Sequence, residues 1–275
     1  VLQTDQQNQE TWNAWQPFTP GGVASFSKAS FLRVFAFQLC FAILNALALG
    51  WFLHVSWLPV MQSAVEHLPP SGEIVHGSLA WSSPSPALLG YNSDLAFVVD
   101  LQHTGEARVP SDILVEFGQR DLRVYSLLGF MELEYPAGWR VALNRTETGP
   151  WWGAWQPPVL WLSVLGWIVF LLVGWSLLSA CYSFIVWLIA FFANRRADLA
   201  QSRRLAGAAL IPASLVLLLG IVLYGTGAIN LLGLLLMAVG HLAAGWVYIL
   251  LAPLALAREP SVPPKGNPFT PKPEK

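Results

Sequence analysis

The chain has 275 residues, of which 55% are hydrophobic and only 11% charged, with a net charge of -1 and a mean hydropathy of +0.50. Soluble domains carry about 25% charged residues, so the composition argues against a soluble globule. The near-zero charge gives no electrostatic reason to expect a nucleic-acid partner.

The charges are placed unevenly. No formally charged residue lies between Arg33 and Glu66, between Glu147 and Arg195, or between Arg204 and Arg258. A spanning helix needs about 20 apolar residues to cross roughly 30 Å of hydrocarbon, and each gap is long enough. The expected fold class is therefore membrane α-helical, with about four transmembrane helices and a small antiparallel β-rich domain inserted outside the cytosol.

In chain order, residues 1–30 predict an N-terminal tail and residues 31–58 a first transmembrane helix beginning after Ser30. That apolar run is too long for a signal-peptide core, and no small-residue cleavage site follows it, so it reads as a retained anchor. Residues 59–157 predict the β-rich domain. Its apolar residues alternate from Glu73 onward, and strands are expected over 73–81, 94–101, 112–117, 122–127, 131–135 and 139–143. Gly118 to Asp121 and Pro136 to Gly138 read as turns. Residues 158–193 predict a second helix started by Pro157 and Pro158, since proline suits a first turn. A loop over 194–204 and a helical hairpin over 205–256 follow, the hairpin broken between Gly225 and Asn230. Residues 257–275 form a Pro- and Lys-rich tail.

Ten of the fifteen Lys and Arg fall on one side of this topology, namely Lys28, Arg33, Arg195, Arg196, Arg203, Arg204, Arg258, Lys265, Lys272 and Lys275. The positive-inside rule makes that side cytosolic, with both termini inside. Tryptophans concentrate at membrane boundaries, and Trp51, Trp57, Trp151, Trp152, Trp155 and Trp161 are the expected anchors at the outer interface. For Trp151, Trp152 and Trp155 an aromatic ligand platform is the alternative.

Chemistry is sparse. No catalytic motif, Gly-rich phosphate loop or metal-ligand spacing is recognisable, so no enzyme activity, cofactor or metal is expected. Glu132 and Glu134 sit two apart on an expected strand and share a face, as a carboxylate pair or half a metal site would. His67, His76 and His103 lack ligand spacing and read as surface residues. Within the helices no Asp, Glu, Lys or Arg lies deep, which argues against coupled transport. The remaining polar groups Asn45, His54, Tyr224 and His241 could line a cleft between helices or serve packing alone. Small residues at Gly166 and Gly174 and at Gly240 and Ala244 would permit close helix approach. Cys40 and Cys181 read as small apolar side chains. The sequon at Asn144-Arg145-Thr146 matters only in a host that glycosylates that side.

The segment Pro17-Phe18-Thr19-Pro20 recurs as Pro268-Phe269-Thr270-Pro271. Both copies suit extended conformations that partner domains recognise. Together with the run Leu68-Pro69-Pro70-Ser71-Gly72-Glu73-Ile74-Val75-His76-Gly77 and the strand Phe97-Val98-Val99-Asp100, this layout resembles a family of uncharacterised bacterial multi-pass membrane proteins, some encoded beside maltodextrin-uptake genes. The resemblance implies a bacterial inner (cytoplasmic) membrane protein and no biochemical activity.

The expected function is thus that of a non-enzymatic accessory or scaffold subunit, with the lipid bilayer and a protein partner or second copy as its contacts. A small uncoupled carrier or lipid-handling protein and an extracytoplasmic ligand sensor are the alternatives.

Overall fold

The computed structural model describes residues 16–258; the second Pro-Phe-Thr-Pro copy lies outside them. The chain divides into two compact units, whose described residues are 16–38, 174–212 and 244–258 in one, and 39–173 and 213–243 in the other. Among the described residues, four helices are long and apolar enough to cross a membrane: α2 (Phe31–Glu66), α3 (Arg145–Phe192), α4 (Leu199–Gly225) and α5, which runs Leu231–Leu251 and tightens into a 3-10 turn over Ala252–Ala255. In α4, 72% of the most apolar stretch is buried, against 28%, 22% and 17% in α2, α3 and α5. The difference follows from sequence: Ala206, Gly207, Ala208, Ala209 and Ala213 let neighbours approach α4 closely, whereas α3 exposes Trp161, Phe170, Leu177 and Phe191. Helices apolar on exposed faces suit lipid surroundings.

In the first unit the Pro17 to Pro20 segment is folded rather than extended. Thr19 Oγ accepts from the Gly22 N–H at 3.1 Å and caps a short helix, α1 (Pro20–Ser25). A Cβ on Gly22 would overlap the Gln16 carbonyl, so only glycine fits. Val23 and Phe26 are fully buried, Phe26 edge-on to Phe37 at 5.4 Å, and the Tyr248 hydroxyl donates to the Phe18 carbonyl at 2.8 Å. A partner could reach this segment only by displacing those contacts.

The arginine-rich connection is also folded. Asp198 caps α4 by accepting from the Gln201 N–H at 2.6 Å, so the helix begins at Leu199, a turn and a half before the expected start. Arg204 donates to the Ser27 carbonyl at 2.9 Å and Arg195 to the Leu256 carbonyl at 2.6 Å.

In the second unit, α2 continues to Glu66 instead of ending near residue 58. Its Leu53–Trp57 turn widens to π geometry immediately before Pro59. A proline removes one helical donor and its ring crowds the preceding turn, and a widened turn absorbs both effects. Helix α3 likewise begins earlier than expected. Asn144 accepts from the Glu147 N–H at 2.9 Å and caps it, while Pro150, Pro157 and Pro158 lie inside the helix instead of at its start.

The β structure comprises two sheets. Strand β1 (Gly72–Val75) lies between β2 (Ser78–Trp81) and β8 (Arg140–Ala142). The expected strand over 73–81 is thus a hairpin, turned by His76 and Gly77 with φ of 49° and 74°. The second sheet has the order β3 (Ala87–Tyr91), β4 (Leu95–Val99), β5 (Ile113–Phe117), β6 (Asp121–Ser126) and β7 (Gly129–Glu134). Contrary to the antiparallel expectation, β4 and β5 pair in parallel. Parallel neighbours need a crossover of a dozen residues or more, which residues 100–112 supply. Strand β3 escapes an alternation search because its register shifts between Leu88 and Gly90.

Candidate functional site

Glu132 and Glu134 are exposed on β7, where register sets Glu132 opposite Arg123 and Glu134 opposite Asp121. Arg123 Nη2 lies 3.2 Å from Glu132 Oε2 and 3.1 Å from Asp121 Oδ2, so Glu132 is held in an ion pair. The chain continues inward from there. His103 Nε2 lies 2.8 Å from Asp121 Oδ1, and His103 Nδ1 lies 2.6 Å from Oε1 of Glu116, which is fully buried. Arg108 Nε donates to Glu116 Oε2 at 2.9 Å, and its Nη2 donates to the Tyr125 hydroxyl at 2.8 Å. Its hydrogen bond to Glu116 holds the guanidinium above its ordinary pKa.

The network pins the β4–β5 crossover onto one face of the sheet. His103 takes a left-handed φ of 55° to enter it, and a Cβ on Gly118 would overlap both the His103 ring and Asp121. Asp100 opens the crossover: its Oδ2 accepts from the Gly105 N–H at 2.7 Å and from the Thr104 hydroxyl at 3.1 Å. Burial raises its pKa, but these hydrogen bonds outweigh burial and the carboxyl sits below its ordinary value. Both ring nitrogens of His103 face carboxylates, so neither is turned toward a substrate. The arrangement acts as a clamp. Sequence reading missed it because its partners lie 13 and 18 residues from His103. One signal was available: Glu116 shares a strand face with buried Leu114.

Among the described residues, no group of three or more His, Cys, Asp or Glu is placed to hold a metal ion. Of the helix polar groups, Asn45, Tyr224 and His241 are buried and His54 is exposed. The Asn45 amide donates to the Phe41 carbonyl at 2.9 Å and the Ser214 carbonyl at 3.4 Å, and Tyr224 packs 5.1 Å from Phe52. Close helix approach occurs at Gly50 against Val164, Gly220 against Met237 and Gly225 against Trp51; an added Cβ on Gly166 or Gly174 would meet nothing.

Trp51, Trp151, Trp155 and Trp161 are exposed and Trp57 is half-buried. Trp152 departs from the anchor expectation. It is buried and lines a cavity of about 170 Å³ with Met61, Val65, Leu89, Phe97 and Phe117. Asn144 is buried too, its amide donating to the Gly72 carbonyl at 3.2 Å.

The two ends of the five-stranded sheet differ. At β3, the Leu58–Glu66 part of α2 presses so close that a Cβ on Gly90 would lie 2.7 Å from the Val60 carbonyl oxygen. At β7, all six residues are exposed, including Phe130, Met131 and Leu133, and no strand pairs with the far side among the described residues. In comparisons with known proteins no family model matches the chain, no curated protein matches it, and no solved structure matches it, so the functional reading rests on this geometry.

Proposed function

We propose that the chain is a non-enzymatic accessory subunit of a bacterial inner-membrane assembly, such as a transporter or another envelope complex. Both termini and the arginine-rich connection lie in the cytosol, and the β domain stands outside and receives an extended segment of a partner protein along β7. One observation carries this reading: an edge strand of six exposed residues, three of them large and apolar. Proteins ordinarily shield such edges because unpaired backbone groups template further strands, and strand addition is a common recognition mode.

A different chain suits the edge better than a second copy. Ser56 bonds Asp94 ahead of β4, while Ala64 and Leu68 pack with Val99 at its end, so the strands run alongside the outer part of α2. If α2 crosses the bilayer, those strands stand away from the membrane. A symmetric antiparallel β7 pair within one membrane needs strands lying flat, because its two-fold axis is perpendicular to them.

Photo-crosslinkers at Met131 on β7 and Leu88 on β3 test the proposal in cells. A single heterologous adduct is expected from Met131 alone, and the combined Met131→Lys and Leu133→Lys change should reduce co-purification of that same protein at least tenfold. Equal adducts at both positions, or a monodisperse solo species in mild detergent, would overturn it.

The apolar cavity beside Trp152 favours a second reading, in which the outer domain holds a small apolar ligand or acyl chain. A comparable apolar cavity of about 150 Å³ stays dry and binds benzene. Filling it with Ala64→Phe should abolish any lipid that co-purifies with the wild type in mass spectra; identical lipid content would remove this reading.

A further inference from the structure

The turn between β6 and β7 is built from the wrong kind of residue for water. Two-residue hairpin turns favour Asn, Asp and Gly, yet here the turn is Leu127 and Leu128, exposed by 56% and 80%, with Phe130 exposed by 66% just beyond. Between Ser126 and Glu132 the sequence carries no polar side chain. Leu128 is held in place by its N–H donating to Ser126 Oγ at 3.2 Å, and Gly129 supplies the φ of 118° that the turn needs.

Register fixes which way the turn faces. Ser126 pairs with Ile113 at the start of β5. The adjoining Asp112 accepts through Oδ2 from the Leu231 N–H at 3.1 Å, at the first residue of α5. Asp94, at the same end of the sheet, bonds Ser56 beside Trp57 in α2. Gly225, the last residue of α4, packs against Trp51. The Leu127–Leu128 turn therefore lies at the end of the sheet that meets the last residue of α4, the first residue of α5 and the Trp51 to Trp57 stretch of α2.

We infer that this turn dips into the interfacial layer of the same bilayer, its occupant being a lipid surface and Leu127, Leu128 and Phe130 its inserted side chains. The inference rests on the helices crossing a membrane and adds a further contact to that reading. It follows from continuity: the turn extends the sheet from a boundary already marked by helix ends and exposed indoles, where apolar side chains gain by leaving water. It also gives the sheet a further attachment besides those to α2 and α5, which would hold β7 upright beside the membrane.

The test uses the full chain in phosphatidylcholine–phosphatidylglycerol vesicles, with Cys40→Ala and Cys181→Ala removing the native thiols. Single Leu128→Cys, Leu236→Cys and Gln119→Cys variants carry an environment-sensitive fluorophore, and lipids carry nitroxide at shallow or deep chain positions. Leu128 is exposed, so its variant should melt with the parent. Emission from position 128 is expected to be blue-shifted and to lose more than half its intensity with the shallow nitroxide. Position 236 should be quenched by the deep nitroxide, and position 119, at the opposite end of the sheet, by neither. Unquenched emission at 128 with quenching at 236 overturns the inference and leaves the membrane reading standing. Emission at 128 shielded from aqueous iodide yet untouched by nitroxide lipid assigns the turn to a protein contact and also overturns it. Unquenched emission at both positions removes the membrane reading itself.

Discussion

The two ends of the five-stranded sheet hold similar residues in opposite circumstances. β3 reads Ala87-Leu88-Leu89-Gly90-Tyr91 and is pressed against a helix that runs on past its expected end; β7 reads Gly129-Phe130-Met131-Glu132-Leu133-Glu134 and has all its residues exposed. Edge strands are usually made safe by charge, proline, bulges or a covering element. β3 has a register shift and a helix packed on its face at Gly90, and β7 has only its two glutamates, of which Glu132 is already paired with Arg123. Composition therefore does not separate a structural edge from a recognition edge here. What separates them is whether the same chain packs a helix against the strand.

The contrast breaks most sharply at Gly90. A valine there would drive its Cβ into the backbone of α2 at Val60 and Ala64, where no side chain can rotate away. Forced overpacking of this kind costs about 3 kcal/mol. The Gly90→Val protein should melt markedly earlier in detergent, with the buried Leu89 becoming accessible to limited proteolysis; an unchanged melt would show that the helix does not press on β3.

A second break lies where the parallel pair joins the two ends. Glu116→Gln takes away the carboxylate that faces both His103 and Arg108. Removing one member of a buried ion pair costs several kcal/mol, but Arg108 is 40% exposed and solvent screens it,. A loss of about 2 kcal/mol is expected. Amide exchange should quicken in residues 100–112 and in β5 to β7, while β3 and its helix change least. Uniform exchange across the sheet would mean that the clamp does not hold the crossover.

Much of the helical arrangement was legible because charge is costly in hydrocarbon, and the uncharged runs between Arg33 and Glu66, Glu147 and Arg195, and Arg204 and Arg258 mark the four long helices. Their ends were less legible. Pro157 and Pro158 look like a first turn, but the Asn144 and Glu147 pairing, three residues apart, is the stronger start signal, and it lay within a segment expected to be sheet margin. The widened turn before Pro59 hides a helix that continues. In the β domain, alternation located most strands but could not reveal that β4 and β5 run parallel, which depends on where the crossover folds. The clamp was hidden for the same reason, apart from Glu116 on the buried strand face: His103, Glu116 and Asp121 meet only once that crossover is laid on the sheet.

Acid offers a milder probe of the same joint. Asp100 is held below its ordinary pKa by the Gly105 N–H and Thr104, despite burial. A depressed folded-state value means that its contribution is fully present above the unfolded carboxylate pKa, about 3.9, and is lost as pH falls through the lower folded value. The β domain should therefore lose stability below about pH 4 through this group. Asp100→Asn should flatten that limb of a pH-dependent melting curve; a limb of unchanged slope would assign the acid sensitivity to other carboxylates.

The smallest effect on stability is expected where the largest effect on binding is proposed. Met131→Lys with Leu133→Lys alters two exposed side chains that fill no cavity, and surface changes of this kind stay within about 0.5 kcal/mol. If β7 were simply an uncovered structural edge, the added charge would be neutral or would improve solubility. If it receives a partner strand, the two lysines oppose the apolar side chains of the incoming segment, and co-purification of the partner should fall at least tenfold while the melting temperature stays within a degree or two. Equal losses of stability and co-purification would instead mean that the exposed face of β7 supports the fold itself, and the difference between the two ends of the sheet would then carry no functional meaning.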